Sequence, residues 1–164
     1  MWWSRALAAV ACAAALSACG FHLRGDASFP FSSVYVNAPT SKPFAQEMSR
    51  AIGSGSGAKV VDEAGAAEVV LAIPSVVDDK DVLSLSSGGS VREYALAKRV
   101  QFRLHDKNGN DWMPAGEIVV RRSYTFNETQ VLARDLQEQR LLREMQTDAV
   151  QQIVRRMQSA RKPT

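Results

Sequence analysis

Between Val91 and His105 the side chains alternate. Tyr94, Leu96, Val100, Phe102 and Leu104 fall on one face; Glu93, Arg99, Gln101, Arg103 and His105 fall on the other. A period of two with one apolar and one polar face belongs to a strand that is buried on one side and wet on the other. The chain is thereby committed to a sheet that is covered on a single face. Asp106-Lys107-Asn108-Gly109-Asn110 comes next, and its Asn-Gly pair is a hairpin signal. Ile118 to Phe126 then pairs back, with Ile118, Val120, Tyr124 and Phe126 inward. Upstream, Ser86-Ser87-Gly88-Gly89-Ser90 reads as a turn. It joins the alternating strand to a β-rich run containing Val69, Val70, Leu71, Ile73, Val76 and Val77. Pro74 interrupts that run and cannot donate to a ladder, so it marks an edge, a bulge or a break.

The covering layer is also legible. Thr40-Ser41-Lys42-Pro43 places a hydroxyl cap before a proline in the first turn of a helix. Phe44, Met48 and Ile52 follow at four-residue spacing and make one apolar face. Gly53-Ser54-Gly55-Ser56-Gly57 ends it as a flexible joint. A second helix follows from Leu142, Met145, Ala149, Ile153 and Met157 at the 3.6 period. Arg155, Arg156, Arg161 and Lys162 gather at its C-terminal end, where cations complement the dipole. Asn127 and Gln130 form a candidate capping box, with the helix expected to become regular near Asp135. Phe29-Pro30-Phe31 is an extended lead-in, Val34-Tyr35-Val36 a first strand, and Lys59-Val60-Val61 a short extended piece. The order β-α-β-β-β-α predicts an α+β fold: a mostly antiparallel four-stranded sheet with two helices packed on one face.

The N-terminus addresses the chain. Arg5 is followed by an apolar run from Ala6 to Leu16, then by Ser17, Ala18 and Cys19. A charged tip, a greasy core and small residues make a secretory signal. The run is far shorter than the ~20 apolar residues of a membrane-spanning helix. Leu16-Ser17-Ala18-Cys19 resembles a bacterial lipobox, in which cleavage precedes a Cys acylated on sulphur. The competing reading is an ordinary cleavage site that happens to precede a Cys. Cys12 lies within the signal, so Cys19 has no partner downstream, and acylation accounts for an otherwise lone exported thiol. A diacylglyceryl group and an N-acyl chain on Cys19 make a stable anchor. Gly20, in place of the Asp that resembles an inner-membrane retention signal, leans toward the outer membrane. The expected layout is a lipoprotein signal peptide at 1–18, a lipidated tether at 19–33 and a folded domain at 34–160.

The mature chain carries 19 basic against 17 acidic residues. With no basic run interleaved with aromatics, nucleic acid is not an expected partner. Catalytic sets are missing as well. His22 and His105, the only imidazoles, have no ligands at metal spacing. Gly55-Ser56-Gly57 belongs to the Gly–Ser joint and is not a nucleophile elbow. Asp78-Asp79-Lys80-Asp81 reads as a solvated boundary at a strand end or turn, and the glycines near Gly88 precede a strand, not a phosphate-binding helix. No enzyme, metal or cofactor is expected.

Four segments in order carry a resemblance. Cys19-Gly20-Phe21-His22-Leu23-Arg24, Arg92-Glu93-Tyr94-Ala95-Leu96, Arg122-Ser123-Tyr124-Thr125-Phe126, and Leu132-Ala133-Arg134-Asp135 leading to Leu142-Arg143-Glu144-Met145 resemble the LptE family of outer-membrane lipopolysaccharide-assembly lipoproteins. The resemblance implies a small sheet packed by two helices. It implies the β-barrel LptD as partner, one to one, with the lipoprotein in the barrel lumen. Lipopolysaccharide is then the ligand on its way to the outer leaflet. Arg134 matches the family's basic position before the last helix and is the expected phosphate contact. The family's second basic residue lies in the turn that here reads Ser86-Ser87-Gly88-Gly89-Ser90; Arg92 is the nearest substitute, and the departure weakens that contact. A solvated surface charge is the competing reading of both arginines. A stand-alone periplasmic-facing lipid or glycan carrier is the alternative function, and it requires an enclosed apolar cavity.

Overall fold

The computed structural model describes residues 28–55, 57–125 and 131–163. Cys19, His22, Phe126, Asn127 and Gln130 lie outside the described residues, as do the signal and most of the tether.

The elements are β1 (Ser33–Asn37), α1 (Lys42–Gly55), β2 (Lys59–Val61), a short 3-10 turn at Ala64–Ala66, β3 (Val69–Leu85), β4 (Val91–Asp106), β5 (Asp111–Thr125) and α2 (Val131–Gln158). The fold is α+β, with both helices feeding one core. The sheet has five strands in the order β2-β1-β3-β4-β5, not the four expected. The added strand is Lys59–Val61. It is too short to show a period, and it gains its identity only by pairing parallel to β1, Val34 opposite Val60. β1 also runs parallel to β3. The β3–β4 and β4–β5 pairs are long antiparallel hairpins. Gly89 and Gly109 turn them with φ of 82° and 86°, a region that glycine enters at little cost.

The covered face is the one the alternation predicts. Val69, Leu71 and Ile73 of β3, Leu96, Val100, Phe102 and Leu104 of β4, and Ile118, Val120 and Tyr124 of β5 are buried. Phe44, Met48 and Ile52 of α1 and Met145, Ala149, Ile153 and Met157 of α2 close over them in one continuous core. Ser41 Oγ accepts from the Phe44 N–H at 3.4 Å, the cap read from the sequence. α1 runs on to Gly55, three residues into its Gly–Ser joint. α2 is already helical at Val131, ahead of Asp135.

Pro74 sits in a β-bulge, where β3 places two residues, Ile73 and Pro74, between Ala72 and Ser75 against the single Phe102 on β4. β5 makes a matching bulge between Met113 and Gly116, and it contains Pro114. Prolines are tolerated there because a bulge frees the strand from donating. The two bulges flank Phe102 at one level of the sheet. They bound a surface groove of about 480 Å³ lined by Ala72, Pro74, Gln101, Arg103, Ala115 and Glu117 among others. The acidic run Asp78–Asp81 is a correction. It is not a boundary or turn but continues β3, paired with Lys98 to Ala95 of β4.

Candidate functional site

Toward the β3–β4 turn, beyond the apolar core, the covered face becomes polar. Lys98 lies among the buried positions of β4 and is only 3% exposed. Its ammonium meets the Asp78 carboxylate at 2.6 Å, so the buried charge is paired. One rung further on, Lys80 pairs with Leu96 across the ladder, and Val82 with Tyr94, which faces Tyr124 on β5. The two tyrosine rings lie 5.6 Å apart and tilted. The Lys80 ammonium stands 4.4 Å from the Tyr94 ring centre and 5.6 Å from that of Tyr124, within cation–π range.

α2 answers from above. Glu138 accepts from Lys80 Nζ at 2.5 Å and from the Tyr124 hydroxyl at 2.5 Å, on the same oxygen. Burial pushes the Glu138 carboxyl up, but the bonds from Lys80 and Tyr124 outweigh it and leave it below its ordinary value. Burial likewise works against the Lys80 ammonium, and its bonds to Glu138 and Tyr124 carry the net shift upward. Tyr124 is raised, by burial first and by donating to Glu138 second. The site therefore holds a fixed cation and a fixed anion on a two-ring aromatic floor. Further along, Arg122 and Asp148 form an ion pair from β5 to α2.

Arg134, the expected phosphate contact, comes to this cluster. Its guanidinium is paired with Asp135 at 2.8 Å, and it is close enough to Tyr124, Tyr94 and Glu138 to interact with them electrostatically. Arg92 is exposed on β4, two residues before Tyr94. Lys80 and Glu138 were not singled out from the sequence. A signal existed for each. Positions 76, 78, 80 and 82 keep the alternation of β3 through the acidic run, and Glu138 stands four residues from both Arg134 and Leu142 on the stripe that leads into the core face of α2.

Among the described residues no cluster of His, Cys, Asp and Glu could hold a metal ion, and no helix is long and apolar enough to cross a membrane.

A small antiparallel-rich sheet with two helices on one face and a polar distal end defines an α+β domain, and comparison gives it a family. Residues 31–157 match the profile described as LptE, lipopolysaccharide-assembly, and the chain belongs to that family. It is 29% identical over 143 residues to the LPS-assembly lipoprotein LptE of Pectobacterium atrosepticum, covering 85% of this chain and 76% of that one. Against the protein of the same name from Yersinia enterocolitica it is 28% identical over 143 residues, covering 85% and 68%. Among solved structures it is similar to lipoprotein B of Nitrosomonas europaea, with a TM-score of 0.73 and 38% identity over 83% of this chain and 88% of the other. A minor lipoprotein of Acinetobacter baumannii shares the fold at a TM-score of 0.67 and 19% identity, over 83% and 98%.

Proposed function

We propose that this chain is an outer-membrane lipoprotein, cleaved after residue 18 and acylated on Cys19. It occupies the lumen of the β-barrel LptD as a one-to-one plug, helps the barrel assemble, and contacts lipopolysaccharide in transit to the outer leaflet. The observation that carries this reading is membership of the LptE family across residues 31–157, with relatives named for lipopolysaccharide assembly. Surface chemistry supports it. A barrel lumen is polar, and the uncovered sheet face presents Asp79, Arg99, Gln101, Glu117 and Arg121, with Arg99 bonded to Asp79 at 2.9 Å. Arg134 is the first phosphate contact and Arg92 a weaker second. No reaction and no cofactor enter.

The experiment is recovery of tagged protein from detergent-dissolved outer membranes. A large barrel co-eluting near one to one is the expected result. A monomer that elutes with lipid alone would replace the plug by the carrier.

A further inference from the structure

α2 is built in two parts. From Met145 onward Met145, Ala149, Val150, Ile153, Val154 and Met157 are buried. From Arg134 to Arg140 no residue is, and Leu136 stands 60% exposed. The first part reaches the sheet through Glu138, on Lys80 and Tyr124. Beneath it lie the paired rings of Tyr94 and Tyr124. Beside them Val82, Leu83 and Leu85 carry exposed apolar side chains toward the hairpin turn. A cation on an aromatic floor, bordered by exposed aliphatic side chains, is complementary to an amphiphile with an anionic head. Its anion position is already filled from within by a carboxylate.

We propose that Lys80, Tyr94 and Tyr124 form a binding site for the phosphate monoester of an acylated lipid, and that Glu138 is its internal competitor. The phosphate takes Lys80 in exchange for Glu138. The 134–140 part of α2 lifts about the turn before Met145, and the acyl chains lie along Val82, Leu83 and Leu85. This rests on the lipopolysaccharide reading above and adds to it a cation, an internal gate and a direction for the chains. The Lys80 and Glu138 side chains are 37% and 23% exposed, so solvent reaches the pair that the phosphate opens.

The test uses dihexanoyl phosphatidic acid below its micelle concentration as probe, with inorganic phosphate and dihexanoylglycerol as separate arms. Phosphatidic acid binds best of the three. Lys80→Met keeps the aliphatic stem over the rings and weakens binding about tenfold or more. Glu138→Gln tightens it about two- to fivefold. A purely structural Lys80–Glu138 pair predicts no gain from that variant, and weaker or unchanged binding to Glu138→Gln overturns the proposal. Hydrogen exchange supplies an independent readout: probe binding speeds exchange at amides 135–141 and leaves 145–157 protected. Slower or unaltered exchange at 135–141 overturns the gate. If Arg134→Ala abolishes binding while Lys80→Met binds like wild type, this inference falls and the Arg134 reading stands. The reverse pattern removes Arg134 and keeps Lys80.

Discussion

A single residue, Lys98, breaks the apolar face of β4, and the structure explains how it is tolerated. Its ammonium is buried but meets Asp78, whose side chain is 43% exposed and brings water to the pair. Removing the partner strands a buried charge, so Asp78→Ala should destabilise by about 2 kcal/mol, less than for a fully buried pair because of that exposure. Lys98→Met should be near neutral or stabilising, and the double variant should recover most of the loss. Urea unfolding of the four proteins measures both. Gly116 is a second such position. A Cβ there would meet the Phe102 ring at 3.1 Å and an Arg156 nitrogen at 3.3 Å, where the guanidinium stacks on that ring. Gly116→Val should therefore cost about 1–3 kcal/mol through displaced packing, read as a lowered urea midpoint. Neither residue was legible in advance. Lys98 sits at an apolar register, and periodicity alone takes a lysine there as noise. Gly116 looks like one more loop glycine until Phe102 and Arg156 are brought over it by the fold.

At the scale of elements, legibility followed length. The long hairpins, their Gly-bearing turns and both helices repeat their pattern over enough residues to be read, and they lie where expected. β2 did not, because three residues have no period and their strand character comes from β1 alongside. The acidic stretch of β3 reads from sequence as a turn for a related reason: its charge composition masks an alternation that runs straight through it. The small parallel part of the sheet depends on a polar clasp. Glu68 accepts from the Ser32 N–H and hydroxyl, each at 2.8 Å, and its own N–H donates to Ser33 Oγ at 2.9 Å. The Ser32 N–H first, then its hydroxyl, hold the Glu68 carboxyl below its ordinary value. A depressed folded-state pKa contributes stability above the unfolded value, and that contribution is lost as pH falls through the folded one. Glu68→Gln should therefore be less stable than wild type at about pH 7 and should approach it at about pH 3. Parallel urea titrations at the two pH values make the comparison, and an equal gap at both would show that the carboxylate charge plays no part.

At the scale of the whole molecule the two ends of the sheet differ in chemistry. Phe29 stacks on Phe31, which meets Trp112 edge-on, and the Arg161 N–H donates to the Trp112 carbonyl at 3.1 Å. The chain thus enters the domain beside the Asp106–Asp111 hairpin and the end of α2. The Lys80–Tyr94–Tyr124 cluster lies toward the other end of β4, a strand of 16 residues and so about 50 Å long. The ten Cα-to-Cα steps from Cys19 to Phe29 reach at most about 35 Å when fully extended. With the acyl anchor proposed on Cys19, the Trp112 end is kept near the membrane surface, and the end that carries the proposed lipid site stands away from it. Fluorophores placed singly at Lys107 and at Ser87 report the two ends. In vesicles with a headgroup quencher, lipidated protein labelled at Lys107 should be quenched strongly and protein labelled at Ser87 weakly. With Cys19→Ala, lipid labelling and the quenching difference should both vanish, while the melting curve stays where it was, because among the described residues the buried core runs from Phe31 onward. Equal quenching of the two labels in the lipidated protein would mean that the domain lies flat on the surface, and the anchor would then set distance but not direction.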